Sequence, residues 1–308
     1  MKMSLPLVII NPAAGGGRAG RDWAQAAPGL RYHFGPFACA FTQSSGDAAR
    51  IAEEEARRGR RLLIAFGGDG TISEIAGGIL RSRAPTELGF LPHGTGADSL
   101  RSLGIPCRLS DAAQVLRNAR SRRMDVGQVW YTTPRGTTES RYFFNSASFG
   151  LSGAVAERAN RSSKALGGRF TFAYNTVKMA WTYQPADIWL ELDGGPPRRL
   201  FVTTVSFNNG RYFGGGMHIA PKASLVDGRL DAIVIRRLPF MRILTQGPRL
   251  YAGAHLGLPE VHHQKVLSAK AWPSHSANRL CLEVDGESPG ALPARFGVCA
   301  GALRVRVP

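Results

Sequence analysis

Residues 62–80 read LLIAFGGDGTISEIAGGIL, and the change in apolar spacing along this stretch strongly constrains the fold. The run Leu62–Phe66 has no polar member, which is typical of a strand buried on both faces of a parallel sheet. From Thr71 onward the apolar residues recur at helical spacing. The stretch therefore predicts a strand, a tight glycine turn and a helix, which is the repeating unit of an open α/β sheet.

The glycine turn of this unit carries one acidic residue, Asp69. In open α/β sheets ligands bind beyond the carboxyl ends of the strands, where the N–H groups of helix N-termini attract phosphate. A carboxylate there would repel a phosphate unless it serves a metal ion or accepts a proton. On the glycine count alone, an ordinary turn with a capping aspartate explains the segment equally well.

The first part of the chain alternates between strand and helix patterns. Helices are predicted from Asp47 to the stop at Gly59, after Gly70, and over 110–119. Strands are predicted over 7–10, 37–42, 62–66 and 88–91. This alternation predicts an α/β domain with a doubly wound parallel sheet.

After Met124 the pattern changes to short strands separated by turns. Predicted hairpins join 126–130 to 140–148 and 188–192 to 200–207, and further strands are predicted over 230–235 and 280–284, with one helical block over 166–183. We therefore expect an antiparallel, β-rich, sandwich-like second domain over 125–301. The first domain would span 1–124, with residues 302–308 returning to it, and the active site would lie in the cleft between the domains.

Composition and charge limit the classes of function. The 308 residues contain no apolar run of the roughly 18 residues that a membrane span needs. The start lacks a signal-peptide pattern, and four separated cysteines argue against zinc or disulfides, so we expect a cytoplasmic protein. The net charge of +17 favours an anionic partner, and no nucleic-acid motif is present. A peripheral association with the inner membrane face explains the charge better, although a solvated arginine-rich surface remains an alternative.

Five segments with glycine or acidic residues follow predicted strands. They are NPAAGGGR at 11–18, GGDGT at 67–71, PHGTGAD at 92–98, DGRLD at 227–231 and DGE at 285–287. Each is a weak signal alone. Together they outline a polyphosphate site, with backbone N–H groups for phosphate and carboxylates for Mg²⁺ and a proton.

This set of segments resembles the diacylglycerol kinase catalytic family in its bacterial form, which is related to the sphingosine and ceramide kinases. The resemblance spans nearly the whole chain. NAD kinases and 6-phosphofructokinases share the GGDGT turn, but the later DGRLD and DGE segments are closer to the lipid kinases.

The resemblance implies a role for individual residues. Asp69 would be the general base or a ligand of Mg²⁺, and Asp285 competes with it for the base role. Glu287 would face the nucleotide and its Mg²⁺, and Asp98 would lie near the acceptor. Nucleotide contacts are implied for Asn11, Arg18, Thr42, Gly67, Gly68, Gly70, Thr71, Gly94, Thr95, Lys164 and Arg169.

The resemblance also implies a second, structural Mg²⁺ bound by the side chain of Asp227, with carbonyl groups near Ser224 and Arg229 completing its shell. A simple hairpin turn is the alternative for this segment. Asp125 matches a polar position at the domain junction, or else caps a strand end.

One residue departs from the family pattern. The family has an asparagine before the aspartate of its P-x-G-T-x-N-D motif, whereas this chain has Ala97 before Asp98. Because alanine cannot replace the hydrogen bonds of an amide, the acceptor lipid is open.

The function that we expect is therefore an ATP- and Mg²⁺-dependent lipid kinase acting on diacylglycerol. A ceramide or sphingoid-base kinase is the alternative, followed by an NAD kinase or a non-catalytic homologue that binds lipid or nucleotide. The resemblance also allows a homodimer.

Overall fold

The computed structural model describes residues 5–93, 97–161, 178–179, 181–275 and 279–308, which divide into two compact units. Unit 1 consists of Met1–Met124 and Gly301–Pro308, and unit 2 consists of Asp125–Ala300.

The described strands are numbered in chain order. They are β1 (Leu7–Ile10), β2 (Ala38–Phe41), β3 (Leu62–Gly67), β4 (Glu87–Pro92), β5 (Arg120–Thr132), β6 (Thr138–Phe143), β7 (Ser146–Gly150), β8 (Ala186–Leu192), β9 (Arg198–Asn208), β10 (Leu230–Arg236), β11 (Val261–Val266), β12 (Ser268–Pro273), β13 (Leu282–Val284) and β14 (Ala291–Val307).

The described helices are numbered in the same way. They are α1 (Arg18–Phe34), α2 (Asp47–Arg57), α3 (Asp69–Ser82), α4 (Asp98–Leu103), α5 (Leu109–Asn118), α6 (Leu151–Arg161) and α7 (Phe240–Ala252), followed by a 3₁₀ turn at Ala254–Gly257.

Unit 1 is built on a parallel sheet with the strand order β2-β1-β3-β4-β14. Every residue of β1 and β3 is buried, as their continuous apolar runs predict. The indole of Trp23 on α1 packs edge-on against Phe66 of β3, with the ring centroids 5.0 Å apart. The predicted α/β fold with a parallel sheet is thus confirmed.

Unit 2 is rich in antiparallel strands. Strand β9 pairs with β7, β8 and β10, and β10 pairs with β11. The two predicted hairpins are present, as β5 pairs with β6 and β8 pairs with β9. The rings of Phe149, Phe207 and Phe296 lie at the centre of its core, with Phe207 and Phe296 4.2 Å apart.

Several predicted elements need correction. The strand predicted over 140–148 is two strands, β6 and β7, because the backbone N–H groups between them bond to a side chain rather than to a neighbouring strand. The sequence analysis did not predict the helices α1, α4, α6 and α7 or the strands β11, β12 and β14. Most of the helical block predicted over 166–183 lies outside the described residues; within it, 178–179 and 181–182 are helical.

Helices α2 and α3 of unit 1 approach each other closely at Gly78. A Cβ atom at this position would lie 2.3 Å from the carbonyl oxygen of Ala49 and 2.8 Å from the Cβ atom of Ala52. Because the first of these contacts is with backbone, the helices would have to move apart to admit a larger residue.

We expect Gly78→Ala to lower the free energy of unfolding by about 1–3 kcal/mol, because it overpacks this contact. Gly29→Ala on α1 is the matched control, since a Cβ atom at Gly29 would have no neighbour within 4 Å. That control should instead raise stability by about 0.5–1 kcal/mol, since glycine is a poor helix former. Urea unfolding of both variants tests the pair, and equal effects would contradict the close contact.

Candidate functional site

The predicted nucleotide-binding segments of unit 1 share one edge of its parallel sheet. Backbone hydrogen bonds continue just beyond the strands: Thr42 donates to Ile10 (2.9 Å), Asn11 to Phe66 (3.1 Å) and His93 to Gly67 (3.3 Å). These bonds bring the carboxyl ends of β1, β2, β3 and β4 side by side. This is the edge of an open α/β sheet at which ligands bind.

Asn11 and Thr71 are joined across this edge. The side-chain amide of Asn11 donates to Oγ1 of Thr71 (3.1 Å), and Thr71 is buried. Gly67 leaves the space that Thr71 occupies, because a Cβ atom at Gly67 would lie 2.6 Å from Oγ1 of Thr71. The glycine after β3 is therefore required by a close contact. Gly68 and Gly70 flank the start of α3, and a helix N-terminus of this kind favours an anion.

Asp69 lies in the first turn of α3, and its carboxylate caps another helix. Its Oδ2 atom accepts a hydrogen bond from the N–H of Asp98 (3.2 Å) and its Oδ1 atom accepts one from the N–H of Ser99 (2.8 Å). These N–H groups belong to the first turn of α4, where backbone N–H groups have no hydrogen-bond acceptor within the helix. Capping a helix is therefore one of the roles of Asp69.

Two other predicted residues of unit 1 form local contacts. Asp98 is buried and its Oδ1 atom accepts from the guanidinium of Arg101 (2.9 Å). Arg18 is exposed at the start of α1 and donates from Nε to the carbonyl of Gly15 (3.0 Å). Its terminal guanidinium nitrogens extend beyond this contact and would suit a phosphate.

Ala97 adopts a backbone conformation that suits the residue the family has here. Its φ and ψ angles are 56° and 29°, in the left-handed region. Residues with a Cβ atom rarely adopt this region, whereas asparagine does so more readily. The family asparagine thus has a backbone explanation in addition to any contact with an acceptor lipid.

Four predicted nucleotide contacts lie outside the described residues. These are Gly94, Thr95, Lys164 and Arg169. Their roles stay predictions.

In unit 2, Asp285 organises the bend between β6 and β7. Its carboxylate accepts hydrogen bonds from three successive backbone N–H groups, those of Phe144 (2.7 Å), Asn145 (3.0 Å) and Ser146 (2.8 Å). Asp285 and Gly286 both have positive φ angles, 46° and 87°, as the tight Asp-Gly turn of a hairpin requires. The carboxylate is therefore committed to holding the backbone.

Glu287, at the end of the same turn, forms an ion pair with Arg141. Its Oε2 atom lies 2.7 Å from the guanidinium. Burial lowers the pKa of Arg141, but the charge and hydrogen bond of Glu287 together with the charges of Tyr131 and Asp285 outweigh it, and the pKa is raised. Arg141 therefore remains charged beside the predicted nucleotide-facing acid.

Asp227 forms an ion pair with Lys265. Its second carboxylate oxygen accepts from the backbone N–H of Arg229 (3.2 Å). The hydrogen bond that Lys265 donates to Asp227 raises the pKa of the lysine, and the nearby negative charge of Asp231 raises this pKa further. Burial raises the pKa of Asp231, although His263 donates to its Oδ1 atom over 2.5 Å.

A hydrogen-bonded network centred on Asn209 connects Asp125 with the backbone that Asp285 holds. The fully buried amide of Asn209 donates to the carbonyl of Asp125 (2.9 Å) and to that of Phe144 (2.7 Å). The carboxylate of Asp125 in turn accepts from the N–H of Gly228 (2.6 Å). The network connects the loop of Asp227 to the backbone that Asp285 holds.

The two predicted metal sites differ in how well their residues suit Mg²⁺. No group of three or more acidic, histidine or cysteine side chains in the described ranges could hold a metal ion. From the residues that the structure describes, each oxygen of Asp69 accepts one hydrogen bond, and an ion carried by nucleotide phosphates needs only one or two protein carboxylates. Glu287 is ion-paired, and at Asp227 the ammonium group of Lys265 supplies the positive charge that a structural ion would supply. The role of Asp227 as a metal ligand stays a prediction, and the ion pair with Lys265 argues against it.

Within each unit, residues that the sequence analysis did not single out hold functional loops in place. Glu74 of α3 accepts from the N–H groups of Gly46 (2.9 Å) and Ala48 (3.2 Å) at the start of α2. The position of Glu74 on the helix after GGDGT could have identified it from the sequence. Nothing in the local sequence identifies Arg141 or Asn209, because their hydrogen-bond partners are distant in sequence.

Two family models match the chain. Residues 6–129 match the model described as diacylglycerol kinase catalytic domain, and residues 145–307 match the one described as YegS C-terminal NAD kinase beta sandwich-like domain. None of the helices in the described part of the chain has the length and apolar character that crossing a bilayer requires.

Curated proteins and solved structures are similar over most of the chain. A protein of Chromohalobacter salexigens named "Probable lipid kinase YegS-like" is 32% identical over 87% of this chain and 82% of its own length. The diacylglycerol kinase of Bacillus subtilis is 30% identical over 83% and 80%. A crystal structure of a diacylglycerol kinase from Bacillus anthracis shares the fold, with a TM-score of 0.75 at 23% identity over 100% of this chain and 98% of that one.

We expect Ala97→Asn to raise the free energy of unfolding by about 0.5–1 kcal/mol, because asparagine adopts left-handed angles with less strain. Thermal unfolding measures the gain. Ala84→Asn, in another turn of unit 1, is a control that should not stabilise. A loss of stability in Ala97→Asn would contradict the left-handed conformation.

We expect Mg²⁺ without nucleotide to leave the melting temperature unchanged, because Lys265 already neutralises Asp227. Differential scanning fluorimetry with millimolar Mg²⁺ or EDTA measures the effect. A rise with Mg²⁺ that Asp227→Asn abolishes would support the structural ion instead.

Proposed function

Because this chain belongs to the diacylglycerol kinase catalytic family and is a lipid kinase, we propose that it transfers the γ-phosphoryl group of ATP to the free hydroxyl of diacylglycerol, with Mg²⁺ as cofactor. The name of the Bacillus subtilis relative supports this acceptor. Its assignment to this chain is part of the proposal.

The observation that carries the assignment of the base is the difference between two aspartates. Among the described contacts, each oxygen of Asp69 accepts one backbone N–H and has a second lone pair to offer a further partner. The oxygens of Asp285 accept three backbone N–H groups between them. Protonating Asp285 would weaken the bonds that hold the β6–β7 bend, so Asp69 is better suited to accept a proton.

In the proposed reaction the acceptor hydroxyl attacks the γ-phosphorus as the bond to the β-phosphate oxygen breaks. Asp69 accepts the hydroxyl proton, and the N–H groups at the start of α3 bind phosphate oxygens. Mg²⁺, when bound with ATP, would offset phosphate charge. Asn11 positions Thr71, and thereby the turn that carries Asp69.

The acceptor has one main alternative, a ceramide or sphingoid base. The substitution at Ala97 was the reason to consider it. Since the left-handed backbone explains why the family has asparagine there, Ala97 is a weaker argument for a different acceptor. An NAD kinase is disfavoured by the lipid kinase relatives.

We propose that the enzyme works at the inner face of the membrane. Its acceptor resides in the bilayer, and the net charge of +17 would attract anionic lipids.

We expect the protein to convert diacylglycerol to phosphatidate with labelled ATP and Mg²⁺ in mixed micelles, and Asp69→Asn to lower kcat by about 10²–10⁴ through loss of the base. The assay includes ceramide, sphingosine and NAD as competing acceptors. Labelled ceramide or sphingoid phosphate in place of phosphatidate would make the diacylglycerol assignment wrong.

Asp285→Asn is the matched control for the base. It should lower the free energy of unfolding by about 1–3 kcal/mol, since it disrupts buried hydrogen bonds, while the folded molecules keep most of their turnover. Melting curves of both variants separate folding from chemistry. Full activity in Asp69→Asn would remove its assigned role.

A further inference from the structure

Helix α7 carries an apolar stripe on its exposed side. Met241, Leu244, Pro248 and Tyr251 are spaced by three or four residues, so they follow one side of the helix. The exposed fractions of Met241, Leu244 and Tyr251 are 64%, 40% and 52%. Single exposed apolar residues are common, but a contiguous exposed patch marks an interaction surface.

An adjacent side of α7 attaches the helix to unit 2. Phe240 and Ile243 pack against the buried side chains of Leu151 and Val155 on α6. Leu250 packs against a second core cluster that contains Ile219. Because the helix is attached through this side, the stripe is left facing solvent.

An exposed tryptophan extends the stripe at one end. Trp181 is 71% exposed, and its ring meets that of Phe240 edge-on with the centroids 4.7 Å apart. Tryptophan and tyrosine concentrate at membrane–water interfaces, where the ring is apolar and the polar atom stays hydrated. Trp181 and Tyr251 thus place such a residue near each end of the stripe.

The segment of the sequence that contains the stripe carries only positive charges. Residues 232–259 contain Arg236, Arg237, Arg242 and Arg249 and no aspartate or glutamate. Arg242 is paired with Glu260, whereas Arg236, Arg237 and Arg249 are exposed. Arg249 belongs to α7, whereas Arg236 ends β10 and Arg237 follows it. Exposed basic residues next to large exposed apolar residues suit an anionic bilayer surface.

We propose that the α7 stripe, with Trp181 and the flanking arginines, docks this protein onto an anionic phospholipid surface. This rests on the proposed function, because a kinase of a membrane lipid must reach an acceptor that stays in the bilayer. The stripe enters the interface and the arginines contact lipid phosphates.

The test is binding to vesicles of phosphatidylglycerol and phosphatidylcholine. The double variant Met241→Ser/Leu244→Ser should bind at least about tenfold more weakly in a sedimentation assay, because two apolar side chains no longer enter the interface. Both residues are exposed, so the fold should persist, and melting curves check this. Leu267→Ser is the matched control, since Leu267 is 52% exposed on the link between β11 and β12 and should leave binding unchanged.

A second arm tests charge. Vesicles of phosphatidylcholine alone, or Arg236→Gln/Arg237→Gln with anionic vesicles, should also bind more weakly, with a smaller salt dependence.

Activity assays separate this proposal from the proposed function. The Met241/Leu244 variant should lose phosphorylation of diacylglycerol held in vesicles but keep its kcat on a short-chain diacylglycerol dissolved as monomers. If the wild type phosphorylates no diacylglycerol yet its vesicle binding depends on the stripe, the docking surface stands and the function fails. The docking surface would be overturned if the double variant bound vesicles as tightly as the wild type. It would also be overturned if the wild type were a dimer and the double variant a monomer, because the stripe would then be a contact between two copies of the chain.

Discussion

Carboxylates that accept hydrogen bonds from backbone N–H groups hold the functional loops of this protein. Asp69 and Glu74 both belong to α3, and they cap the first turns of α4 and α2. One helix therefore positions the loop after β2 and the segment after β4, in addition to the glycine turn at its own start. In unit 2, Asp285 holds the β6–β7 bend in the same way. A buried N–H without a partner is costly, so each of these acids stabilises its loop as well as shaping it.

Part of this arrangement could be predicted from local sequence. The period of the apolar residues predicts β3 and α3, and the turn-rich segments predict the β5–β6 and β8–β9 hairpins, because strand and helix periodicity are local properties. Helices α1 and α7 were missed because each contains a proline, Pro28 and Pro248, next to a glycine, and such pairs usually indicate a turn.

The hydrogen-bond partners of the acids could not be predicted in the same way. The break between β6 and β7 depends on Asp285, which lies about 140 residues further along the chain. The cap that Asp69 provides and the ion pair between Glu287 and Arg141 also join residues far apart in sequence. A single sequence shows which residues can bond, but only the fold shows which of them meet.

The distribution of charge distinguishes Asp69 from three other acids of the family motifs. Asp98, Asp227 and Glu287 are each paired with an arginine or lysine of the same unit, so their negative charge is largely cancelled locally. The described contacts of Asp69 are with neutral N–H groups, which orient its carboxylate without neutralising it. A proton or a metal cation carried by the nucleotide phosphates is then attracted to a net negative charge at that point. Since the chain has 39 basic and 22 acidic residues, it carries a net charge of +17, which attracts anionic substrates and surfaces.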